Sequence, residues 1–127
     1  DDPTVYLSLG VTYFGNKKLD MKSVRVETDK NYYDFTCDDQ FGGGYDNDLK
    51  AWFDYELFDM DEETSWLNEW LAAKSVTATF TGRDGSTKTY TLTKDNLQAI
   101  RDVLNVYDTL LGSDVSTARV VLRSLVK

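Results

Sequence analysis

Apolar side chains occupy every second position from Val5 through Leu7, Leu9 and Val11 to Tyr13. Strict alternation of this kind has the period of a strand with one buried face. It is the first of several such runs, and together they commit much of the chain to sheet. Gly10 interrupts the polar side of the run, and Gly15-Asn16 supplies turn chemistry after it.

Residues 23–37 read as a hairpin. Val24 and Val26 share a face on the first arm, and Tyr33, Phe35 and Cys37 share one on the second. Opposed residues of an antiparallel pair lie on the same side, so Val26 should face Tyr33 and Val24 should face Phe35. That register needs an even loop, centred on Asp29-Lys30. A slip of one residue would turn one apolar set to water. Residues 75–93 form a second hairpin with an odd loop. Gly82-Arg83-Asp84-Gly85 fits a type I turn with Gly85 left-handed, placing Ala78 opposite Tyr90 and Val76 opposite Leu92. Thr77, Thr79, Thr81, Thr89 and Thr91 fall on the other side, expected to face solvent.

Residues 50–60 alternate as well. Phe53, Tyr55 and Leu57 make one face, expected to be buried. Trp52, Asp54, Glu56 and Phe58 make the other, expected to be partly open. Residues 38–49, with three consecutive glycines, read as one long irregular loop.

Two segments carry helical spacing. Asp61 is placed to cap a helix over residues 61–74, with Trp66, Leu67, Trp70 and Leu71 as its apolar stripe. Thr93 is placed to cap another, over residues 93–111. Its stripe of Leu97, Ile100, Leu104, Tyr107 and Leu111 is widened by Val103 and Leu110, and Gly112 is a natural stop. Burying seven such side chains would contribute on the order of 10–20 kcal/mol before ordering entropy, which marks this helix as the expected core element on the sheet. In the tail, Ala118, Val121, Leu122 and Leu125 fit a helix stripe, while Val120-Val121 favour a strand; over residues 116–126 the helix is the preferred reading. The expected fold is α+β: a two-layer, single domain over residues 1–127, with an antiparallel sheet of about five strands and two main helices on one face. Residues 1–3 read as a tether-like end.

Composition removes whole classes of chemistry. The chain has no histidine and one cysteine. It therefore has no imidazole base or metal ligand, and no internal disulfide. Cys37, on an apolar strand face, reads as a buried small hydrophobe. The net charge of −8 argues against nucleic acid, and no run approaches the roughly 18 apolar residues of a membrane span. The acidic loop does not match a calcium-binding hand: counting from Asp38, the third position is Gln40 and the fifth Gly42; counting from Asp46, the fifth is Lys50. Gly42-Gly43-Gly44 lacks the Lys and Ser/Thr of a phosphate loop. Asp54 and Glu56 lie about 6–7 Å apart by strand rise, near glycosidase spacing, but any Asp-x-Glu in a strand gives that distance. No catalytic activity, metal or cofactor is expected.

What remains is recognition. Phe41, Tyr45, Trp52 and Phe58, with Asp46 and Asp48, are the candidate ligand-binding residues, since exposed aromatics beside carboxylates suit protein or glycan contact. Beginning at Asp1 rather than Met, the chain reads as processed or trimmed, and if Asp1 is a mature end a leader was removed and the protein works outside the cytoplasm. The expectation is a non-catalytic, extracytoplasmic (secreted or cell-envelope) binding or accessory domain. The alternative is an acidic cytoplasmic antagonist, of immunity-protein type, that blocks a basic protein with Asp38, Asp39, Asp46, Asp48, Asp54 and Glu56.

Overall fold

The computed structural model describes residues 5–37 and 42–111. The chain runs through β1 (Ser8–Gly15), β2 (Met21–Thr28), β3 (Tyr32–Thr36), β4 (Gly42–Asp46), β5 (Ala51–Asp59), α1 (Thr64–Ala72), β6 (Val76–Gly82), β7 (Thr87–Thr91) and α2 (Lys94–Leu111). This is an α+β fold. Every strand pair is antiparallel, but the expected single sheet of about five strands is two sheets, ordered β1-β5-β4 and β3-β2-β6-β7.

Both predicted hairpins form in the predicted register. Val26 faces Tyr33 and Val24 faces Phe35, while Ala78 faces Tyr90. The Thr28 hydroxyl accepts the amides of Lys30 and Asn31 at 3.1 and 2.9 Å, closing the first turn. In the second, Gly85 has φ +87° and its amide donates to the Gly82 carbonyl at 3.0 Å. β2 then joins the two hairpins, with Val26 opposite Ala78 and Val24 opposite Phe80.

β4 lies where an irregular loop was expected. Glycine carries no side chain, so it leaves no alternation to read, yet Gly42, Gly43 and Gly44 pair with Tyr55, Asp54 and Phe53. The turn back into β5 is held by Asp46, whose Oδ1 accepts the amides of Asp48 and Leu49, each at 2.9 Å. Residues 38–41 and the tail from 112 onward, including the helix expected over 116–126, lie outside the described residues.

The faces of β5 are reversed relative to expectation. β1 pairs with it so that Tyr13, Val11 and Leu9 oppose Asp54, Glu56 and Phe58. The stronger apolar face of β1 decides which side is buried, and β5 must follow it. Asp54 and Glu56 are consequently 1% and 4% exposed.

Buried residues of both sheets and both helices form one hydrophobic cluster. At its centre Phe35 lies 4.8 Å from Phe58, 5.5 Å from Trp66 and 6.1 Å from Trp70, ring centre to ring centre. α1 thus covers the inner face of β3 with the side chains the spacing predicts. Its cap differs: Glu63 occupies that position without a side-chain hydrogen bond. Asp61 instead reaches away, its Oδ1 accepting the Leu7 amide at 2.6 Å and the Tyr107 hydroxyl at 3.0 Å. α2 is capped as expected, with the Thr93 hydroxyl accepting the Asn96 amide at 3.2 Å and Asn96 Oδ1 accepting the Thr93 amide at 2.9 Å. Only Leu104 and Tyr107 of its stripe are fully buried, while Val103 and Leu111 are exposed. α2 is therefore a flank packed on α1, and much of its apolar burial is not realised among the described residues.

Candidate functional site

Of the sequence-predicted patch, Tyr45 and Trp52 come together. They face each other across the β4–β5 pair, in an edge-to-face arrangement with centroids 5.4 Å apart. Tyr45 is 48% exposed and Trp52 half-buried. Asp48 sits exposed in the turn, and the Asp46 carboxylate is engaged in closing it. Phe58 does not join them. Its ring packs on Phe35 in the core, because the β1 register turns that side of β5 inward. Phe41 lies outside the described residues.

Asp54 and Glu56, on that same inward side, are buried. Burial pushes the Asp54 carboxyl above its ordinary range, and nearby Asp20 adds to this. Hydrogen bonds from the backbone of Asp20 and Met21, and the charge of Lys18, oppose it only in part. Asp54 therefore ties β5 to the loop ahead of β2, where Asp20 takes a left-handed φ of +55°. The Arg83 amide donates to the Asp20 carbonyl at 3.0 Å, which adds the β6–β7 turn to the same junction.

The open side of the three-stranded sheet is the one expected to be core. Phe14, next to Phe53 at a centroid distance of 6.2 Å, is 51% exposed, and Leu57 is 40% exposed. Phe53 and Tyr55 lie between them, half-buried. Glycines on the neighbouring strands let these rings lie down against the backbone. A Cβ added to Gly10 would sit 3.1 Å from the Tyr55 hydroxyl oxygen, and one added to Gly44 would sit 3.8 Å from the Phe53 ring. Aromatic rings lying over cross-strand glycines leave a low, apolar surface. Phe14 was missed because its role depends on the β1–β5 register, which no local pattern encodes.

The outer side of the four-stranded sheet is polar, as its threonines predict. Arg25 makes two hydrogen bonds to Asp34, at 2.7 and 2.9 Å, and lies 4.3 Å above the Tyr32 ring. Among the described residues no three His, Cys, Asp or Glu side chains cluster as a metal site would require, and no helix is long and apolar enough to cross a membrane. No family model matches the chain, nor does any curated protein or solved structure.

Proposed function

We propose that this is a non-catalytic binding domain, working outside the cytoplasm, that engages a protein partner through the outer face of the β1-β5-β4 sheet. The observation that carries the reading is the exposure of Phe14 and Leu57 on one continuous face with Phe53 and Tyr55. Contiguous exposed apolar surface, as opposed to scattered single residues, marks interaction sites. Tyr45 and Trp52 border this face at the hairpin end, on the opposite side of the sheet. A protein partner suits it better than a glycan, since sugar hydroxyls need converging polar groups and these four side chains offer one hydroxyl, that of Tyr55.

The acidic-antagonist alternative has less to draw on. Of its six carboxylates, Asp54 and Glu56 are buried and Asp46 is committed to its turn. The two readings part under salt. A pull-down from envelope and cytosolic fractions should retain an envelope protein at high salt, and Leu57→Lys should lose it while leaving the circular dichroism unchanged. Retention of a basic cytosolic protein that salt releases, indifferent to Leu57→Lys, would overturn the proposal.

A further inference from the structure

We propose that the seam between the two sheets binds a small aromatic carboxylate, its ring against Phe14, Phe80 and Tyr90 and its carboxylate on Lys88. β1 belongs to one sheet and the β6–β7 hairpin to the other. Where they meet they border a cleft of about 340 Å³, lined by residues 12–14 on one side and by Phe80, Lys88, Thr89 and Tyr90 on the other. A cavity of about 150 Å³ suffices for benzene, so a ring with a short acid arm has room here. Four of the seven lining residues are aromatic. Apolar walls with few polar groups are the make-up of a small-molecule site. Phe14 and Tyr90 are exposed, at 51% and 48%, so these walls stand open to a ligand.

Lys88 is the one charged residue in the lining. It stands opposite Phe80 in the β6–β7 register, and Tyr90 stands opposite Ala78. Opposed residues share a face, so Lys88 projects from the side of the sheet that carries core. Among the described residues it has neither a hydrogen bond nor an ion pair; the ion pairs there are Arg25–Asp34 and Arg83–Asp20. Its ammonium is therefore available to an anion whose apolar body the aromatic walls hold. Other polar groups of the lining are engaged. The Tyr90 hydroxyl donates to Asn96 Oδ1 at 2.7 Å, and the Thr89 hydroxyl lies 3.5 Å from that of Thr79. A peptide would bring amides that find few partners in such a cleft, which favours a free acid over a chain end. The site does not depend on what the outer aromatic face binds, although Phe14 borders both.

A chain of net charge −8 repels anions at long range. A preference for a carboxylate over its amide must then come from a local cation. In an amide-resolved NMR titration, phenylacetate should shift residues 12–14, 80 and 88–90 saturably and leave β3 and β4 unmoved. Phenylacetamide, the same shape without the charge, should bind at the same residues roughly fivefold more weakly. Lys88→Met should bring the two ligands to equal affinity. No saturable shift at these residues would overturn the proposal, as would equal binding of acid and amide to the unaltered chain. So would a preference for the acid that survives in Lys88→Met, since the cation would lie elsewhere. An acetylated tripeptide ending in phenylalanine that binds more tightly than phenylacetate would also overturn it, giving the cleft to chain ends. The comparison of acid with amide on the unaltered chain decides the matter even if Lys88→Met fails to fold.

Discussion

Asp54 and Asp61 are both acidic and both tie distant segments together, yet their environments push them in opposite directions. Burial raises the Asp54 carboxyl, so the folded chain holds its proton more tightly than the unfolded chain does. Its contribution to stability is therefore best in acid and is lost as pH rises from the ordinary carboxylate value through the raised one. Asp54→Asn keeps an oxygen to accept the neighbouring amides and removes the buried charge. The variant should be more stable than the parent at neutral pH, by on the order of 1 kcal/mol, and the gain should vanish at low pH. Thermal melts across pH check this; a variant less stable at neutral pH would show that the ionised carboxylate is worth more than its burial costs. For Asp61, burial also pushes upward, but hydrogen bonds with the Leu7 amide, the Asp59 side chain and the Tyr107 hydroxyl outweigh it and hold the carboxyl below its ordinary range. Its stabilisation is present above that range and fades as pH falls through the lowered value. Asp61→Ala should lower the melting temperature at neutral pH, and the deficit should shrink in acid. Neither role was legible locally. Asp61 sits where a helix cap belongs, and its real partners lie 54 and 46 residues away.

At the scale of elements, what the sequence revealed depended on whether each strand had a partner nearby. The β2–β3 and β6–β7 registers follow from loop parity, because both arms of each hairpin carry an apolar set that must share a face. β5 has aromatics on both sides, so its own pattern cannot choose between them. The choice is made by β1, some forty residues upstream, through the pairing of Tyr13 with Asp54. β4 was invisible because three of its five residues have no side chain. α1 was legible in its stripe, and Trp70 is the test of how much it matters. That side chain is 1% exposed and lies against Tyr33 and Phe35, with centroids at 5.8 and 6.1 Å. Trp70→Ala should cost about 3–5 kcal/mol, enough to unfold a marginal domain. Trp70→Phe should cost less, since it keeps the ring packing and removes an indole N–H that has no hydrogen-bond partner among the described residues. Chemical denaturation of both variants orders the two costs.

For the whole molecule, the decisive fact is which side of the three-stranded sheet meets water. The candidate patch was placed on Trp52 and Phe58 because Phe53, Tyr55 and Leu57 read as the buried face of β5; the β1 register reverses that order, and the apolar surface moves to Phe14, Phe53, Tyr55 and Leu57. A core face and a contact face differ in what substitution does. If Phe14 belonged to the core, Phe14→Lys would place a charge in an apolar interior and lower stability by several kcal/mol. On an open face it should change stability by no more than about 0.5 kcal/mol, as exposed substitutions usually do. Binding should respond the other way: a charge in the middle of an apolar contact must be desolvated there, so Phe14→Lys should abolish capture of the partner that Leu57→Lys also loses. Equilibrium denaturation and binding, measured on the same variant, thus separate the two roles. Loss of stability and binding together would return Phe14 to the core, whereas loss of binding alone would leave the sheet's outer face as the surface through which this domain acts.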